Sequence, residues 1–97
     1  MVIITYKIIK EYSKLNSSIT EALNRWYTIT SLSNWNNLTD IQNDFNTVDY
    51  VGNDRYIFNI GGNKYRLIAM IHFSTRTVYI RFIGTHKEYD KIDCKTI

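Results

Sequence analysis

The sequence predicts an α+β domain in which helices come first and an antiparallel sheet follows. Three observations carry this prediction. Apolar residues recur at helical spacing up to about position 46, the pattern changes to period two from position 48 onward, and turn residues divide that second half at two places. The order expected is β-α-α-(α)-β-β-β, in one domain covering residues 1–97.

Each element follows from local chemistry. Val2 to Thr5 is a short β-branched run and reads as a strand. Thr5 then suits the cap of a helix whose apolar positions are Ile8, Ile9, Tyr12 and Leu15. Ser18-x-x-Glu21 has the form of a capping box, with each side chain serving the other's backbone N–H. It opens a second helix that turns Ile19, Ala22, Leu23, Trp26 and Ile29 or Thr30 to the core. The polar stretch from Ser31 to Asn37 ends it, and Thr39-x-x-Gln42 begins a short third helix ending near Asn46. Arg55–Ile60, Lys64–Phe73 and Thr77–Ile83 read as strands. Gly61-Gly62-Asn63 and Ser74-Thr75-Arg76 form the turns between them.

Composition narrows the function classes. A chain of 97 residues that is 44% hydrophobic is long enough for one core and too apolar for disorder. The longest apolar run, Leu67 to Ile71, is far short of the roughly 18 residues a membrane span needs. Without a signal-like apolar N-terminus, and with one cysteine, Cys94, a reducing cytoplasm is the expected home and no membrane partner is expected. The net charge of +3 is unevenly placed. Residues 1–50 hold four Lys/Arg against five Asp/Glu, and residues 51–97 hold eight against four. A basic half of a small domain suits a polyanion such as nucleic acid, although solubility alone would also account for it.

Strand alternation converts that imbalance into a surface. Successive side chains point to opposite faces, so Tyr56, Phe58 and Ile60 share a face with Tyr65, Leu67, Ala69, Ile71 and Phe73, and with Val78, Ile80 and Phe82. The opposite face then carries Arg55, Lys64, Arg66 and Arg81, interleaved with Asn59, His72, Tyr79 and Ile83. Cations hold phosphates, and rings or guanidinium planes stack on bases, so this face suits single-stranded RNA. An ordinary solvated sheet face has the same pattern.

The stretch after the last strand adds titratable groups. His86 and Tyr89 are three residues apart, and one helical turn brings them to one side. Cleaving RNA without a metal needs a group to deprotonate the 2′-OH, cations for the charge growing on phosphate, and an acid for the leaving oxygen. His86 and Tyr89 with Arg66 and Arg81 are candidates for these roles, and Lys87 adds a cation beside them. As a purely structural alternative, Tyr89 packs on the sheet and His86 caps a helix or lies on the surface. Two histidines and one cysteine do not make a closed zinc site, and the glycines at 61 and 62 are not a phosphate-binding loop. No metal or cofactor is expected. Trp26 reads as core by its spacing, Trp35 either anchors its loop or meets a partner, and Cys94 is an incidental tail residue.

Three runs carry a resemblance beyond pattern. They are Asn53 to Ile60, Gly61-Gly62-Asn63-Lys64-Tyr65-Arg66-Leu67, and Tyr79 through Thr85-His86-Lys87-Glu88-Tyr89-Asp90-Lys91. In order and spacing they resemble the HigB toxin family of the RelE superfamily. Arg25-Trp26-Tyr27 and Trp35 extend the likeness over nearly the whole chain. The resemblance implies a RelE-like microdomain, with helices packed on one side of an antiparallel sheet. It implies cleavage of mRNA in the ribosomal A site without metal, and neutralisation by a HigA-type helix–turn–helix antitoxin. RelE-like toxins use an arginine on the central strand, matching Arg66, and a C-terminal tyrosine, matching Tyr89. The basic residue near the end of the last strand falls to Arg81, His86 or Lys87. On this reading Arg55, Lys64, Lys87, Asn59 and Tyr79 bind RNA. The alternative is a non-catalytic RNA- or ribosome-binding module, and a third is a protein-interaction subunit without an RNA role.

Overall fold

The computed structural model describes residues 1–15, 17–62 and 64–97. In chain order the elements are β1 (Val2–Ile4), α1 (Tyr6–Leu15), a 3₁₀ turn (Ser17–Ile19), α2 (Thr20–Leu32), α3 (Leu38–Asp44), β2 (Asp49–Gly52), β3 (Arg55–Ile60), β4 (Tyr65–His72), β5 (Thr77–Thr85) and α4 (His86–Tyr89). The class is α+β, as the change of period predicts. The five strands run in the order β1-β5-β4-β3-β2. From β2 to β5 they form the expected antiparallel meander, with β2 an added strand. β1 pairs parallel to β5, so the sheet is mixed rather than purely antiparallel. The intervening helices give the chain the length a parallel return requires.

Three predicted caps are placed differently. Thr5 does not cap α1 with its side chain. It adopts φ 71, and its hydroxyl donates to Ile80 O (2.9 Å) and accepts from Ile80 N (3.1 Å). The sharp turn from β1 into α1 directs this side chain back to β5, away from the helix N–H groups. The Ser18–Glu21 box does not form, because the 3₁₀ turn makes Ile19 the N-cap; the Ser18 hydroxyl instead meets Tyr65 Oη at 3.3 Å. α3 is capped by Asn37, whose Oδ1 accepts from Asp40 N at 3.0 Å, and so starts one residue ahead of Thr39. The turn after β3 has Gly61 and Gly62 at φ 63 and 71, a region glycine occupies without steric cost; Asn63 lies outside the described residues.

α1, α2 and α3 cover one face of the sheet. Ile9, Leu23, Trp26, Ile41, Phe58, Leu67, Ala69, Ile71, Val78 and Ile80 are buried in a single core between the layers. Trp26 is core, packed edge-on against Phe58 at 5.5 Å. Trp35 proves to be the anchor of its loop. It is 1% exposed, stacks on Phe58, donates from Nε1 to Asp44 Oδ2 (2.8 Å) and accepts at its main-chain oxygen from Arg76 (2.6 Å). Trp35→Ala is expected to cost about 3–5 kcal/mol, the usual range for truncating a large buried aromatic. Denaturant unfolding measures this, and a loss within experimental scatter would contradict the anchoring role.

One irregularity changes which side chains face where. Ile68 pairs with Phe82, but Ala69 pairs with Ile80, so Arg81 is an extra residue in β5. A bulge of this kind reverses the alternation beyond it. Ile83, assigned to the outer face by strict alternation, is 7% exposed and belongs to the core. Phe82, assigned to the core, instead shares the outer face with Ile68. Its ring lies over Gly84, where a Cβ would come within 2.5 Å of it.

Candidate active site

The outer face is divided along its strands. Cross-strand pairing aligns Asn59, Arg66 and Gly84 at one end, and Arg55, Met70 and Tyr79 at the other. Arg66 and Met70 are four residues apart on β4, or about 13 Å at the rise of an extended strand. Ile57, Ile68 and Phe82 lie between, and Ile57 and Ile68 are buried.

Arg66, at the first end, is half-buried. One guanidinium nitrogen donates to Asn59 Oδ1, and the other donates to His86 Nε2 at 2.7 Å. Its Cζ lies 5.9 Å from the centroid of the Tyr89 ring, within cation–π range. The His86 and Tyr89 rings are 6.5 Å apart. Arginine is only a donor, so Nε2 of His86 carries the ring's lone pair and the proton sits on Nδ1. Nδ1 faces Asp90 Oδ1 at 3.9 Å.

α4 places both groups, and four residues are too few to hold a helix by themselves. A capping box at Thr85 and Glu88 secures it: Thr85 Oγ1 accepts from Glu88 N (3.3 Å), and Thr85 N donates to Glu88 Oε1 (2.8 Å). Tyr12 of α1 donates to the same carboxylate at 3.4 Å. The Thr85 bonds hold the Glu88 carboxyl below its ordinary pKa, so the ionised form that accepts them is favoured. Burial, with Glu88 nearby, pushes the Tyr12 phenol up to about 12. The Thr85-x-x-Glu88 spacing was open to the same reading as Ser18-x-x-Glu21, and it marks the box that forms.

Burial pushes the Tyr89 phenol up to about 12, helped by its hydrogen bond with Cys94, while the Arg66 guanidinium pulls it the other way. Cys94, read from sequence as incidental, is thus a neighbour of this phenol. At neutral pH the phenol keeps its proton.

The other candidates fall elsewhere. Lys64 just precedes β4 and Lys87 lies on α4; both are exposed at the Arg66 end. Tyr79 is half-buried at the far end, edge-on to His72 at 5.6 Å. Arg55 and Arg81 both donate to the main-chain oxygen of Ile97, at 2.9 and 3.2 Å. Arg81 is therefore not gathered with Arg66, His86 and Tyr89, because the bulge and the returning tail direct it away from them. The four cations expected to share one open face occupy two stations. Among the described residues no group of three or more His, Cys, Asp or Glu side chains is placed to hold a metal ion. Among the described residues no helix is long and apolar enough to cross a membrane.

A sequence-family model, HigB_toxin, described as the RelE-like toxic component of a toxin–antitoxin system, matches residues 19–92. The chain belongs to the HigB toxin family. Among curated proteins, the mRNA interferase toxin HigB of Escherichia coli K12 is 54% identical over 35 residues, which is 36% of this chain and 34% of that protein. The mRNA interferase HigB of Escherichia coli O157:H7 matches to the same extent. The mRNA interferase HigB of Escherichia coli O6:H1 is 40% identical over 40 residues, 41% of this chain and 39% of that protein. Each alignment spans little more than a third of the relative's length. The HigB family match takes in Asn59, Arg66, His86 and Tyr89. It leaves out β1, α1 and the residues after Ile92.

Proposed function

We propose that this HigB-family chain is a ribosome-dependent, metal-independent mRNA endonuclease that inhibits translation in the cytoplasm and is neutralised by a HigA-type helix–turn–helix antitoxin. The observation that carries the reading is Arg66 joined at once to His86 and Asn59, with the Tyr89 ring beneath its guanidinium. This is a charge donor beside a proton acceptor and a proton donor, without need of a cofactor.

The chemistry follows from which groups hold protons. The scissile phosphate draws the Arg66 guanidinium away from His86, exposing the Nε2 lone pair. Nε2 removes the proton of the 2′-OH, and the 2′ oxygen attacks the adjacent phosphorus. Arg66 neutralises the charge growing on the non-bridging oxygens. The bond from phosphorus to the 5′ oxygen breaks, and Tyr89 protonates that oxygen. The products are a 2′,3′-cyclic phosphate and a 5′-hydroxyl. His86 then releases its proton and Tyr89 regains one from water. Lys64 and Lys87 hold flanking phosphates, and the ribosome aligns the message, which lowers the entropic part of the barrier.

Primer extension on mRNA from translating ribosomes tests this. New 5′ ends at codons in the A site are expected, and stalling without new ends would mark an occupancy blocker instead. A pH dependence also follows. Tyr89 acts in its protonated form, and its pKa is raised from the ordinary 10.0 to about 12. Cleavage should therefore stay level up to pH 10, where an unperturbed phenol would be half ionised. A fall beginning near pH 9 would mean an acid with the pKa of an ordinary phenol and would contradict the raised value at Tyr89.

A further inference from the structure

The residues after α4 turn back across the outer face of the sheet. Asn53 Nδ2 donates to the main-chain oxygen of Lys95 at 2.7 Å. Arg55 donates from one terminal nitrogen to Ile97 O at 2.9 Å, and Arg81 donates from Nε to the same oxygen at 3.2 Å. Two guanidinium groups from different strands thus converge on one oxygen acceptor. The other terminal nitrogen of Arg55 is held by Asn53 O (2.9 Å) and Met70 Sδ (3.2 Å), which fixes its direction. Arg81, the second donor, is the extra residue of the β5 bulge.

Two guanidinium groups that converge on one oxygen form a site for an anionic oxygen acceptor, and a phosphodiester supplies such oxygens. The station lies about 13 Å along the strand direction from the Arg66 cluster, on the same face of the sheet. A single strand of RNA lying along β4 would cross both.

We propose that Arg55 and Arg81 form a second phosphodiester subsite for the RNA backbone, for which the chain's own residues 95–97 compete. The inference rests on reading the Arg66 cluster as an RNA-cleaving site. Arg81 then acts in binding, not on the phosphate that is cleaved. RNA displaces the tail from both guanidinium groups, so every RNA-binding event includes release of Ile97 O.

The test compares the full chain with one lacking Lys95, Thr96 and Ile97. The probe is a fluorescent single-stranded RNA with 2′-O-methyl sugars, followed by anisotropy over a salt series. The deletion removes one positive charge, so simple electrostatics predicts weaker binding. Competition predicts the reverse: tighter binding by roughly 3- to 10-fold, with a salt slope steeper by about 0.7 for each further phosphate engaged. Arg81→Gln in the shortened chain should abolish the gain. Circular dichroism checks its fold. A full-length variant, Asn53→Gly, keeps the positive φ of 53 at that position while releasing Lys95 O, and should move affinity the same way by a smaller factor. Unchanged or weaker binding in both variants, while the full chain still cleaves mRNA on ribosomes, overturns the tail's role and leaves the cleavage reading standing. Failure of the full chain to cleave or to bind RNA overturns both.

Discussion

Arg66→Ala is expected to lower mRNA cleavage by on the order of 10²–10³-fold, the loss seen when a single preorganised donor to a developing oxyanion is removed. In cells this would appear as growth on induction where the parent chain arrests it. The measurement is single-turnover cleavage of mRNA on programmed ribosomes, with circular dichroism to verify the fold. Arg66 donates to Asn59 and to His86 and lies over Tyr89, so it is the one side chain that touches all the others. Arg66→Lys is expected to lose most of the activity too, since an ammonium cannot span Asn59 and His86 with a planar fork. A folded Arg66→Ala chain with unimpaired toxicity would remove the assignment altogether.

His86→Gln should cost on the order of 10²–10⁴-fold in the cleavage step, the range for loss of a positioned general base. Glutamine leaves an oxygen able to accept from Arg66, so the guanidinium stays in place and the base alone is lost. The loss should therefore appear in the single-turnover rate, with ribosome binding nearly unchanged. Tyr89 cannot substitute, because its phenol, raised to about 12, is protonated at the pH of the assay. If His86→Gln cleaved within a few-fold of the parent chain, the proton would have to leave by another route. These two variants probe different parts of one step, and their effects should be less than additive because Arg66 and His86 are in contact.

How much of this is legible in the sequence depends on the distance over which each feature is decided. Period two over Arg55–Ile60 and Tyr65–His72 places Asn59 and Arg66 on one face, and the structure pairs them directly. The spacing of His86 and Tyr89 places them one helical turn apart, and α4 is that turn. Trp26 follows from helical spacing alone. Ser18-x-x-Glu21 and Thr85-x-x-Glu88 have the same form, yet one fails and one closes. The choice belongs to neighbours: the 3₁₀ turn carries the start of α2 past Ser18, whereas Tyr12 adds a third bond at Glu88. The bulge at Arg81 is not legible, because an extra residue exists only relative to the partner strand that lacks it. It reverses Phe82 and Ile83 and separates Arg81 from Arg66.

The sequence by itself determined the α+β class, the strands that carry the candidate site, and the side chains with the chemistry to hold phosphate or move a proton. These follow from rules acting over a few residues: alternation along a strand, spacing around a helix, and the backbone freedom of Gly61 and Gly62. Only the tertiary structure decided that β1 returns parallel to β5, that Arg66 rather than Arg81 meets His86, and that residues 95–97 come back to Asn53, Arg55 and Arg81. Each of these joins groups far apart in the chain. Such contacts depend on which hydrogen-bond partners remain available once the sheet is assembled, and that competition is settled across the whole fold.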